Sequence, residues 1–97
     1  TPEKIVKAFK LILMDEKVKV ILINIFAGIN RCDWVAEGII QALQKIEINM
    51  PLVIRLAGTN VEKGNEILKK SKINYIEATT LEDAANKAVK ALKELKK

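Results

Sequence analysis

Val20-Ile21-Leu22-Ile23-Asn24-Ile25-Phe26-Ala27-Gly28-Ile29-Asn30-Arg31-Cys32-Asp33 is the stretch whose reading decides the fold. An apolar run rich in β-branched residues breaks off into a short segment with one glycine. An amphipathic helical pattern then begins. The nearly unbroken Val20 to Ile23 run predicts a strand buried on both faces, as in a parallel sheet. A buried strand that turns tightly into a helix is also how α/β proteins build anion sites. The first helical turn leaves its backbone N–H groups unpaired, and the helix dipole adds partial positive charge there. A phosphate or carboxylate placed at Gly28, Ile29, Asn30 and Arg31 would meet those donors and the arginine charge.

Working outward, Thr1-Pro2-Glu3 reads as a helix cap, a proline at the first helical position and an acid in the first turn. Ile5, Val6, Phe9, Ile12 and Leu13 recur at helical spacing and carry that helix to about Met14. A first strand is predicted over residues 18–26. A second helix is predicted from Cys32 to about Ile46, with Val35, Ile39, Ile40, Leu43 and Ile46 as its apolar stripe. Asn30 is its candidate N-cap, and Asp33 sits in the capping-box position. Residues 52–56 read as the second strand. Ala57-Gly58-Thr59-Asn60 is the following turn, and Thr59 with Glu62 would make a capping box for a third helix. That helix carries Val61, Ile67 and Leu68 and ends near Ser71. Residues 74–78 read as a short third strand. Thr80 then caps a fourth helix, with Asp83 at its third position and Ala84, Ala85, Ala88, Val89, Leu92 and Leu95 expected on its inner face.

Strands that alternate with helices across short connections predict an α/β sandwich with a parallel sheet and right-handed crossovers. Ligands of such folds sit outside the carboxyl ends of the strands. Both glycine-bearing loops, 27–31 and 57–60, fall at that edge. Gly58, Thr59 and Asn60 therefore form a candidate second binding loop. Three strands are few for a doubly wound sheet. A further strand is expected from a preceding segment or another chain, and an exposed edge would favour dimerisation or strand exchange.

The 97 residues suit one domain. Hydrophobic residues make up 49% and charged residues 30%, a balance that favours an ordinary globular domain over a disordered one. The longest apolar stretch is far short of the ~20 residues that span a bilayer, and the Lys- and Glu-studded start is unlike a signal peptide. One cysteine fits a cytosolic default. The net charge of +5 invites a nucleic-acid reading, but much of the lysine excess falls late in helices or in the tail. Aromatics are only 4%, too few for a stacking platform, so no nucleic-acid partner is expected. The chain contains no histidine, which excludes Ser-His-Asp and Cys-His chemistry on its own residues. No catalytic residue and no metal ligand set is assigned.

Several residues admit two readings. A thiol at Cys32, in a first helical turn, would have its pKa lowered there, yet an inert buried cysteine is the commoner case. Asp33 reads as a first-turn acid, pointing away from any bound anion. Trp34 would line the mouth of the site, meet a subunit or pack in the core. Arg55 and Asn60 are candidates to line the same edge. A phosphoacceptor receiver would want an acidic nest at the strand ends. Asn24, Arg55 and Glu77 stand there instead.

Asn24-Ile25-Phe26-Ala27-Gly28-Ile29-Asn30-Arg31-Cys32-Asp33, followed by Ala36-Glu37-Gly38-Ile39-Ile40, closely resembles the C-terminal domain of succinyl-CoA synthetase β subunits. That family reads Asn-Ile-Phe-Gly-Gly-Ile, a variable residue, then Arg-Cys-Asp. Pro51-Leu52-Val53-Ile54-Arg55-Leu56-Ala57-Gly58-Thr59-Asn60 resembles the family's second strand and turn. Leu81-Glu82-Asp83-Ala84-Ala85 is similar to its last helix start. The resemblance covers nearly the whole chain in order.

The resemblance implies a flavodoxin-like three-layer sandwich, here without its first strand and without the ATP-grasp domain that precedes it in the family. It implies a piece of a ligase that joins succinate and CoA at the expense of a nucleoside triphosphate, through a phosphohistidine on a partner α subunit. Residues 1–97 would then be one C-terminal ligase domain, inactive alone. It would bind no cofactor itself, while the full enzyme would use CoA, ATP or GTP, and Mg. Implied partners are the α subunit, a second β subunit, and succinate or phosphate. The implied compartment is the cytoplasm, or the mitochondrial matrix in a eukaryote. Gly28, Ile29, Asn30 and Arg31 match the loop that faces the phosphohistidine and the substrate carboxylate. Ala27 departs from the family's first glycine, so a positive φ there would be costlier. Ala57 stands where bacterial members often carry glutamate, so no carboxylate role transfers. The competing reading is a non-catalytic subunit-assembly module of the same fold.

Overall fold

The computed structural model describes residues 2–27 and 32–95. In chain order the elements are α1 (Pro2–Leu13), β1 (Ile21–Ala27), α2 (Cys32–Leu43), β2 (Leu52–Gly58), α3 (Val61–Lys70), β3 (Ile76–Ala78) and α4 (Leu81–Leu95). All seven predicted elements are present in the predicted order. Their ends shift for local reasons. β1 starts at Ile21 because Asp15 folds the approach into a turn: its carbonyl accepts from Val18 N–H at 3.2 Å and its side chain from Lys17 N–H at 2.9 Å. α2 stops at Leu43, where Lys45 N–H reaches back three residues to Ala42 O at 3.1 Å and tightens the last turn. β2 runs on to Gly58, two residues past expectation, because it stays paired with β1 as far as Ala27.

The sheet is parallel with order β1-β2-β3. Ile21 pairs with Leu52 and Ala27 with Gly58. Val53 pairs with Ile76 and Arg55 with Ala78. Strand alternation sends Ile21, Leu52, Ile54 and Leu56 to one face. There they pack with Phe9 of α1, Ala36 and Ile39 of α2 and Leu68 of α3 in the main core. Val53 and Ala78 point the other way and meet Ala84 and Ala88 of α4 in a smaller cluster. Helices thus cover both faces, giving a three-layer α/β sandwich consistent with a flavodoxin-like fold.

Two burial expectations change. β1 is not buried on both faces: Leu22 keeps 41% and Phe26 75% of its surface exposed. β1 is the outer strand of the described sheet, and α4, although it reaches all three strands, leaves Leu22 and Phe26 exposed. The inner stripe of α4 is Ala84, Ala88 and Ala91, spaced by four and three residues; Ala85, Val89 and Leu95 are exposed beside it. Alanines let the helix lie close to the strands, so the narrow small-residue stripe was chosen over the bulkier one next to it. The Thr80 cap forms as predicted, with Asp83 N–H donating to its Oγ1 at 2.9 Å.

Candidate anion-site edge of the sheet

Gly28, Ile29, Asn30 and Arg31, the first predicted anion loop with its Asn30 cap, lie outside the described residues. The residues flanking them are described, and the second loop binds both. Thr59 N–H donates to Ala27 O at 3.1 Å, and Cys32 N–H donates to Thr59 O at 2.9 Å. One residue of the second loop therefore ties down the end of β1 and the start of α2. The structure brings the flanks of the first loop and the 58–60 turn together at the carboxyl edge, where ligands of this architecture bind. It also commits one donor: the Cys32 amide in the first turn of α2 is spent on Thr59. No sequence signal announces such a tie, because backbone hydrogen bonds carry no side-chain signature.

The turn itself is strained in the way glycine permits. Gly58 has φ +116°, and a Cβ there would sit 2.4 Å from Ala27 O. Ala27 is not a positive-φ residue, so the missing family glycine costs nothing at that position. Asn60 takes the left-handed conformation, φ 58° and ψ 36°, which asparagine tolerates better than most residues. Asn60, not Thr59, is the N-cap of α3, and its side chain makes no cap hydrogen bond. Asn60 O accepts from Gly64 N–H at 3.0 Å, the first helical bond of α3. Gly64 lets α3 rest against α2: a Cβ at Gly64 would lie 2.8 Å from Cys32 O.

Cys32 is fully buried, and its Sγ donates to Ala57 O at 3.4 Å. Burial pushes its thiol pKa up, with the nearby Asp33 and Glu62 charges adding to the rise. The helix-turn position that favours a thiolate is outweighed by desolvation, so Cys32 is a structural residue. Asp33 is buried to 6% exposure in the first turn of α2, where a carboxylate complements the helix dipole. Trp34 is 59% exposed, which removes the core reading and leaves its ring on the surface beside the edge. Arg55 is mid-strand and not at the loop. Its guanidinium donates to Asn24 Oδ1 at 3.0 Å across the β1–β2 pair.

The lysines behind the positive charge are partly paired. Lys69 meets Glu77 at 3.1 Å and Lys87 meets Asp83 at 3.0 Å. Among the described residues no group of three or more His, Cys, Asp or Glu side chains is placed to hold a metal ion. A cavity of about 620 Å³ lies at the opposite end of the sheet, between the end of α2 and the segment after α3, lined by Ile46, Leu52, Lys70 and Ile73 among others. No described helix is long and apolar enough to cross a membrane.

A parallel α/β domain whose 58–60 turn is bonded to Ala27 and Cys32 at the carboxyl edge defines the class. The chain belongs to the CoA-ligase family, whose pattern matches residues 1–89. A succinate–CoA ligase (ADP-forming) subunit beta of Marinomonas sp. is 54% identical over 91 residues, covering 94% of this chain and 24% of the relative. The same-named protein of Cereibacter sphaeroides is 56% identical over 93 residues, covering 96% of this chain and 23% of the relative. A probable malate–CoA ligase subunit beta of Mesorhizobium japonicum is 54% identical over 91 residues, covering 94% and 23% respectively. The chain therefore spans about a quarter of the length of the curated relatives it matches.

Proposed function

We propose that this chain is the part of an acyl-CoA-forming ligase that presents an anion cradle at a subunit interface. The reaction would join succinate and CoA with breakdown of a nucleoside triphosphate. The family match over residues 1–89 carries this reading. It is supported by Thr59, which holds Ala27 and Cys32 in place on either side of the Gly28–Arg31 loop. In this reading the amides of Gly28, Ile29 and Asn30 and the side chain of Arg31 receive a phosphoryl or carboxylate group. Gly58, Thr59 and Asn60 form the wall that fixes them. The contribution is electrostatic: backbone donors held in advance where negative charge arrives. Each charge-assisted bond is worth roughly 1.5–3 kcal/mol net of desolvation. A nucleophilic histidine, CoA and nucleotide with magnesium would be supplied by other parts of the enzyme, the histidine by an α subunit. The site would work in the tricarboxylic acid cycle, in the cytoplasm or a mitochondrial matrix.

The test is an amide chemical-shift titration with phosphate and with succinate. Movement confined to residues 28–31 and 58–60 is the expected result; no movement there overturns the cradle. The chain alone is expected to make no acyl-CoA from succinate, CoA and ATP or GTP. Turnover would show that the chemistry needs no second subunit.

The exposed Phe26 and Trp34 favour a second reading, a module whose main work is assembly with an α subunit. Trp34 is the only tryptophan of the chain, so its emission reports this contact without labelling. A blue shift on adding α subunit, with no anion response at residues 28–31, would select assembly over the cradle.

A further inference from the structure

We draw no further inference here: the strongest candidate, the apolar cavity of about 620 Å³ at the amino end of the sheet between the end of α2 and the segment after α3, carries nothing, because Lys70 at its rim is already paired with Glu66 and nothing in the structure shows what covers it.

Discussion

β1 and β2 are both seven residues long, both largely apolar and hydrogen-bonded to each other, yet they live in different surroundings. Leu22 and Val53 are register partners whose side chains stand next to one another on the same face. Val53 is fully buried under α4, while Leu22 keeps 41% of its surface. A residue's contribution follows from what lies over it and not from its own hydrophobicity. Among the described strands, β2 is the one with its apolar surface covered on both faces.

That difference can be broken in a graded way. Gly58→Ala, at the shared end of the two strands, forces a side chain into a φ of +116° and against Ala27 O. It is expected to cost roughly 2–4 kcal/mol in urea unfolding. Val53→Ala is expected to cost about 2 kcal/mol, from two lost methyl groups plus the cavity they leave. Leu22→Ala removes more atoms from the neighbouring position and is expected to cost only about 0.5 kcal/mol. Equal costs for the two would mean that something unseen covers β1 in solution. Asn24→Ala, which strips Arg55 of its partner on the open face, is expected to cost about 0.5–1 kcal/mol.

The smallest effect is one of pH. The Thr79 backbone N–H, then Lys87, holds the Asp83 carboxyl below its usual 3.8. A lowered folded-state pKa contributes stability that is present above the unfolded value and lost as pH falls through the folded value. Urea midpoints measured from about pH 5 down to about pH 2.5 are therefore expected to fall more steeply for the original chain than for Asp83→Asn. Parallel curves would show that the α4 cap carries no pH dependence.

Much of the fold was legible because periodicity and turn chemistry are local. Thr80 and Asp83 sit three residues apart before an apolar run, and the cap they predict is the one formed. The edge character of β1 was not legible. Val20 to Ile23 announces an apolar strand, but hydrophobicity says what a residue prefers and not whether a neighbour is present to satisfy it. Cys32 was expected to be an inert buried cysteine and is fully buried, but the cause of its inertness was not legible. Its place in the first helical turn was visible, whereas the desolvation that raises its pKa arises from α3 and β2, distant in the chain. Of the candidate site, the meeting of the two glycine-bearing segments at one edge followed from the parallel topology. The Thr59 clasp on both flanks of the first loop did not, since any residue type can lend its backbone.

Gly64 sets the separation of α2 and α3 by sterics alone. A Cβ there would meet the Cys32 carbonyl oxygen at 2.8 Å and the Cys32 Cβ at 2.9 Å. Shrinking residue 32 relieves only the second of these collisions, because every amino acid brings the same carbonyl. No partner substitution at 32 can therefore rescue a methyl group at 64. The spacing of α2 and α3 is a fixed dimension of the molecule, and the only way to enlarge position 64 is to move a whole helix.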